Sequence, residues 1–236
     1  MMVLLVLLIP FMGTCLGALA IYVVHKNLNK TFEKIMLGIA SGIMVAASIW
    51  SLLIPALETK SSAIFSVVIG ISFGVLCFYF LDLLFLNKKN IDKTMLAITI
   101  HNVPEGMAVG VVLASCLLGK VSIYSCLALA LGIAVQNFPE GFIVSFPLLK
   151  KGYSKKASFA YGVVSAFFEL LGAVVTILFT NFVVFLLPFF LSFAAGAMFY
   201  VVILELLPEA RLANRGEVFT FMGGFLLMMV LDVLLG

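Results

Sequence analysis

Two hexapeptides, His101-Asn-Val-Pro-Glu-Gly106 and Gln136-Asn-Phe-Pro-Glu-Gly141, each interrupt a run of apolar residues long enough to cross a bilayer. Carboxylates, imidazole and carboxamides are expensive in hydrocarbon, where they face the bundle interior and mark ion or substrate pathways. The proline at the fourth place of each copy withholds an N–H from the helical ladder, so the carbonyls of Ile100 and Val135 lose their partners. Backbone freed in this way at membrane depth is tolerated where it lines a cavity or meets an ion. A chain with both copies is constrained to be helical, membrane-embedded and polar at its centre.

The composition agrees: 64% of the 236 residues are hydrophobic and 11% charged, against roughly 25% charged in a soluble domain. Mean hydropathy is +1.27. A span needs about 20 predominantly apolar residues. Eight such stretches fall at about 2–24, 35–55, 63–86, 94–118, 121–147, 157–179, 182–204 and 217–235, giving an all-α integral membrane protein whose whole length, 1–236, is one polytopic domain with short loops. The first stretch has no lysine before Lys26 and no small-residue cleavage site, so it reads as a helix rather than a leader.

The basic residues set an orientation. Odd loops carry Lys26, Lys30 and Lys34, then Lys88, Lys89 and Lys93, then Lys150, Lys151, Lys155 and Lys156, then Arg211 and Arg215; even loops carry Lys60 and Lys120. The positive-inside rule places the odd loops in the cytoplasm and both termini outside. The net charge of +3 suits anionic lipid. It does not suit nucleic acid, because no basic stripe is interleaved with stacking aromatics. Cys15, Cys77, Cys116 and Cys126 sit in apolar spans without CxxC spacing, which points to packing and not to a thiolate cage or disulfide framework.

Residues four apart share a helix face, so His101 points with Glu105 and Gln136 with Glu140. Asn102 and Asn137 lie about 100° around. If the two helices pack together, these four side chains converge, with two carboxylates to neutralise a divalent cation. One imidazole among oxygen ligands suits Zn²⁺ or another first-row ion, and softness alone does not choose among them. Glu169 sits mid-helix with no basic neighbour in sequence. A buried carboxylate must protonate or find a cation, and from a third helix it could join a second metal position beside Glu105 and Glu140, with Asn102 and Asn137. The competing reading makes the prolines kinks and the polar groups interhelical glue; the matching offset of the two glutamates argues against it.

These residues resemble the ZIP (Zrt/Irt-like) metal transporters, and in particular their bacterial GufA-like branch, over nearly the whole chain. The resemblance implies uptake of divalent metal toward the cytoplasm across a bacterial inner membrane, chiefly zinc, with iron, manganese or cadmium tolerated. It also implies a binuclear mid-membrane site between helices four and five, helped by helices two and six, and relatives that form homodimers. The first metal then takes His101, Glu105, Gln136 and Glu140; the second takes Asn102, Asn137 and Glu169, with the motif glutamates bridging. The second helix is similar too: in Ala40-Ser-Gly-Ile-Met44, Met44 is expected to approach the first metal, and Ser51 and Glu58, successively seven residues on, to line the outer mouth. Many relatives have His where this chain has Gln136, and some have Asp at Asn137, which weakens the expected second position. Some carry His-Glu where Leu204-Glu205 stands, leaving Glu205 and Glu209 for the exit. Asp82 lies near the inner face and is a further exit candidate; Asp232 is expected as a solvated helix end and His25 as an interfacial residue.

The expected mechanism is alternating access, with helices four and five, joined by one and six, carrying metal against the other four. An inverted repeat of helices 1–3 and 6–8 around helices 4–5 is expected; each set has a Gly/Ala-rich helix ending in proline, at Pro55 and Pro208. No prosthetic group is implied; the partners are the transported ions and the lipid. A metal-selective channel is the alternative. An intramembrane metalloenzyme lacks HExxH, GxSxG and a second membrane histidine. A scaffold would tolerate loss of Glu105 and Glu140.

Overall fold

A computed structural model describes residues 2–23, 30–59, 63–85, 93–119, 121–179, 185–212 and 215–235. Within these ranges the side chains at 2, 85, 93–98, 100, 101, 104 and 235 are not described. Lys26, Lys60, Lys88, Lys89, Lys120 and His25 fall outside the described residues.

The regular structure of the described residues is helical, with no strand among them. We number the helices α1 (Met2–Leu19, closed by a 3₁₀ turn at Ala20–Tyr22), α2 (Lys30–Glu58), α3 (Ala63–Phe85) and α4 (Lys93–Leu117). They continue as α5 (Ile123–Lys150), α6 (Lys155–Leu178), α7 (Leu187–Glu209) and α8 (Glu217–Leu235). Seven are long and apolar enough to cross a membrane; in α4 the described apolar part is Glu105–Leu117. The molecule is therefore a helical membrane protein. Its outer faces are apolar: Phe65 of α3 is 76% exposed and Phe219 of α8 80%, as lipid contact requires.

Local signals set the helix ends. Ser122 and Ser154 cap α5 and α6, their hydroxyls accepting from the N–H groups of Ser125 and Ala157, each at 3.1 Å. Gly152, at φ +97°, closes α5: Gly152 donates to the Leu149 carbonyl and Tyr153 to that of Leu148, a Schellman arrangement. The apolar runs misplace two helices. α2 begins at Lys30, because its first turn is a charged face outside the apolar core. α7 extends to Glu209, because the chain passes Pro208 without stopping.

The prolines explain how. Pro55 and Pro208 cannot donate to the carbonyls of Ser51 and Leu204. In both places the helix widens into a π segment, Ser48–Leu53 in α2 and Val202–Leu206 in α7, which absorbs the missing bond without breaking the helix.

Packing is organised in four pairs: α1 with α5, α2 with α8, α3 with α7 and α4 with α6. One helix of each pair carries two glycines four apart: Gly13 and Gly17, Gly38 and Gly42, Gly70 and Gly74, Gly106 and Gly110. Each partner answers with one glycine: Gly141, Gly224, Gly196 and Gly172. A Cβ on any of the last four would overlap a backbone carbonyl of the facing helix, that of Thr14, Ile39, Ile71 or Val103. This is the small-residue mode of membrane helix association, in which close approach gains dispersion contacts that lipid cannot supply. Contacts advance together along both chains, Gly13 meeting Ala134 and Gly17 Phe138, so the partners run parallel. The pairs α1–α5 and α4–α6 meet through α1·α6, α5·α6 and α4·α5, forming one group of four helices. The pairs α2–α8 and α3–α7 meet mainly between α7 and the π segment of α2.

These contacts are testable. Gly17→Ala drives a methyl into the Phe138 carbonyl and is expected to cost about 2 kcal/mol, lowering the melting temperature of the purified protein. Gly223→Ala, which meets nothing within 4 Å, is expected to leave it unchanged or raise it slightly. Equal behaviour of the two variants would refute the close-packing account.

Candidate metal centre

Asn102 and Glu105 of α4 and Gln136, Asn137 and Glu140 of α5 are buried in the seam between the α1–α5 and α4–α6 pairs. Glu105 of α4 is 3% exposed, and Gln136 and Glu140 of α5 are 2% and 0%. The Gln136 carboxamide bridges the two carboxylates: Nε2 donates to Glu105 Oε1 and, at 3.4 Å, to Glu140 Oε1. The helix spacing that puts Gln136 and Glu140 on one face of α5 thus also aims them at α4.

Beside this trio lies a second cluster. Asn137 Nδ2 donates to Glu169 Oε2 at 2.8 Å and to the Pro10 carbonyl at 3.4 Å. Asn102 Nδ2 donates to the Ser165 carbonyl and hydroxyl, both at 3.2 Å, and Thr99 shares that hydroxyl at 3.1 Å. Glu169 reaches the seam because its helix lies against Gly106, where a Cβ would overlap the Glu169 carbonyl.

Acceptor oxygens are left over. Asn102 Oδ1, Glu105 Oε2, Asn137 Oδ1 and Glu169 Oε1 are buried with no hydrogen-bond partner. Four buried acceptors without donors are unfavourable in a dry interior, and a cation is a partner that would suit such oxygens. The nearest lysines along the chain, Lys93, Lys150 and Lys156, stand at helix ends. Among the described residues no three of His, Cys, Asp and Glu form a metal cage by themselves. The set is carboxylate plus carboxamide, and the His101 side chain lies outside the described residues.

The remaining expected positions divide between the core and the two ends of the bundle. Met44 is fully buried in the apolar core with Met198; its carbonyl accepts from Ser48, whose hydroxyl lies 3.1 Å from Met198 Sδ. Glu58 is exposed at the end of α2. Ser51 donates to Asp232 Oδ1 at 2.8 Å, and that oxygen faces Gly132, one turn before Gln136. Asp232 is therefore no solvated helix end: it is partly buried, and its Oδ2 has no hydrogen-bond partner. The sequence reading missed this because the contact is long-range; serine on a helix face announces no partner. Asp82 accepts from the Tyr200 hydroxyl at 3.3 Å.

Glu205 and Glu209 line a cavity of about 640 Å³ between the start of α2, the end of α5 and the end of α7. Glu33, which the sequence did not single out, lines it too and pairs with Lys150 at 2.7 Å across α2 and α5. Such an exposed pair contributes little stability; its interest is that it spans the two helix groups.

One consequence concerns Asn137. Asn137→Leu removes the donor to Glu169 and leaves that carboxylate buried without it. About 2 kcal/mol of stability should be lost in metal-free protein, read as a fall of several degrees in melting temperature. An unchanged temperature would mean another group satisfies Glu169.

Comparison with known proteins identifies the family. The profile of the ZIP zinc transporter family matches residues 93–232, which includes both hexapeptides and Glu169. Human zinc transporter ZIP11 is 30% identical, the match covering 94% of each chain. Zinc transporter ZIPB of Bordetella bronchiseptica is 33% identical over 96% of this chain and 79% of its own. Zinc transporter ZIP11 of Xenopus tropicalis is 44% identical over 63% of this chain and 45% of its own. The profile match over more than half of the chain, with relatives aligned along nearly its whole length, shows the kinship: this chain belongs to the ZIP zinc transporter family, whose members are transporters and not enzymes.

Proposed function

We propose that this protein takes up divalent metal ions, zinc foremost, moving them toward the cytoplasm of a bacterial cell through the seam between α1–α5 and α4–α6. The observation that carries this is the group of four buried acceptor oxygens on Asn102, Glu105, Asn137 and Glu169, drawn from three helices and without hydrogen-bond partners. Glu105, Gln136 and Glu140, with His101 one turn before Glu105, form the first position. Asn102, Asn137 and Glu169 form the second, with the motif glutamates between them. Fe²⁺, Mn²⁺ and Cd²⁺ fit the same oxygen-rich set.

All eight helices cross the membrane in this reading. Supporting it, the four glycine-packed pairs join odd helices to odd and even to even, and run parallel, as alternating crossings require. The positive-inside rule then puts both termini outside. The 640 Å³ cavity with Glu33, Glu205 and Glu209 becomes the inner exit, and Ser51 with Asp232 the outer approach.

Alternating access has a frame in an inverted repeat relating α1–α3 to α6–α8 and α4 to α5. Gly17 of Leu16-Gly-Ala18 and Gly172 of Leu171-Gly-Ala173 face Phe138 and Val103, each the third residue of its hexapeptide. Gly141 and Gly106, each the sixth, face Thr14 and Glu169. Ala40-Ser-Gly-Ile-Met44 and Ala194-Ala-Gly-Ala-Met198 each lead into a π segment and a proline. Gly-x-Leu-x4-Leu-Asp occurs at 74–82 in α3 and at 224–232 in α8.

Proteoliposomes with a trapped zinc indicator test the proposal. Wild-type protein should give saturable entry. Glu105→Gln and Glu140→Gln, which keep shape and remove charge, should each slow it at least about tenfold; full uptake by both folded variants would sink the assignment. Ligands must be deprotonated to bind metal, so protons compete and the zinc KM should rise between pH 7.5 and pH 5.5. A KM indifferent to pH would argue against carboxylate ligands.

A further inference from the structure

We propose that Thr14 of α1 belongs to the cation site as the counterpart of Glu169: its hydroxyl and Asn102 Oδ1 form an uncharged oxygen half-site, opposite the charged pair Asn137–Glu169, that takes a divalent cation or a water bound to one. This rests on the cation-site reading above.

The contacts relate the two positions in register. The Thr14 carbonyl stands against Gly141, and the Glu169 carbonyl against Gly106; these glycines end the two hexapeptides. Asn137 donates to the carbonyl of Pro10, four residues before Thr14. Asn102 donates to the carbonyl of Ser165, four residues before Glu169. The second residue of each hexapeptide thus fastens to the turn that presents Thr14 or Glu169, and α1 packs against α4 as well as α5.

The state of the Thr14 hydroxyl is the independent observation. Thr14 is 0% exposed and Oγ1 has no hydrogen-bond partner. Ser and Thr inside helices ordinarily donate to the carbonyl four residues back. Ser41, Ser48, Thr176 and Ser192 do so here, while Ser145 and Ser158 share the unpartnered state of Thr14 but lie away from the hexapeptide contacts to Pro10 and Ser165. For Thr14 that carbonyl belongs to Pro10, and the Asn137 carboxamide occupies it instead. The hydroxyl is left over inside the bundle, as is Asn102 Oδ1 on the facing side of the repeat. Neutral oxygens of this kind suit hard and borderline divalent cations and the waters such ions carry.

A purely structural hydroxyl predicts the opposite of a ligand on one measurement. Thr14→Val is nearly isosteric and removes a buried, unpartnered polar atom, so metal-free protein should melt at the same temperature or higher. If Thr14 serves the site, the same variant should weaken Zn²⁺ binding about tenfold, measured by equilibrium dialysis of purified protein in detergent. Thr14→Ser should bind as wild type does.

The repeat supplies the stricter test. Glu169→Thr should lose affinity, and adding Thr14→Glu should recover at least about tenfold of it, with Thr14→Asp in the same background if the longer side chain does not fold. Wild-type affinity in Thr14→Val, or no recovery in either folded double variant, overturns the proposal. Failure of the underlying site looks different: Glu105→Gln and Glu169→Gln would then bind Zn²⁺ as wild type does.

Discussion

Contact between glycine and a facing carbonyl holds this bundle together. In lipid, apolar side chains gain nothing by leaving one hydrocarbon for another, so helices associate by fitting closely. Each of the four pairs does this with two glycines on one helix and one on the other, set against the facing helix at distances no Cβ permits: against backbone at all of them but Gly38, which meets the Thr220 side chain. Close approach fixes register as well as proximity. A slip of one turn would bring a side chain under a carbonyl and separate Asn137 from Glu169.

The arrangement also explains why the polar centre lies where it does. The hexapeptide glycines, Gly106 and Gly141, are packing residues first: they bring α4 against α6 and α5 against α1. The glutamates and asparagines beside them are thereby held at the boundary between two tight pairs and not inside either one. The polar centre belongs to an interface, with carboxylates and carboxamides delivered from both sides. The Lys150–Glu33 pair and the cavity lined by Glu205 and Glu209 lie on the other boundary, between this group of four helices and the rest.

Much of this was legible in the chain, and the exceptions have physical causes. The doubled hexapeptide and Glu169 declare themselves because charge inside an apolar run is costly enough to be meaningful. The pairing of helices was half legible: Gly13-x3-Gly17 and its three analogues are plain, but which helix answers each depends on single glycines that look like any other. The extents of α2 and α7 were not legible, since hydropathy measures apolar length and not whether a helix survives a proline. The bond from Ser51 to Asp232 and the place of Glu33 on the cavity with Glu205 and Glu209 join residues distant in sequence, and neither residue type signals a partner. Met44 is in the core, and its fully buried, well-packed position is what hydrophobicity alone leads one to expect.

The π segments carry a last consequence. Ile49-Trp-Ser-Leu-Leu-Ile-Pro55 and Ile203-Leu-Glu-Leu-Leu-Pro208 align residue by residue until the first takes one extra position before its proline. In that alignment Ser51 stands where the second segment has Glu205. The two helices answer the same backbone problem in the same way, a proline met by a π segment. They differ in what they place beside it, a hydroxyl in one and a carboxylate in the other. Like backbones thus give the two ends of the bundle unlike charge.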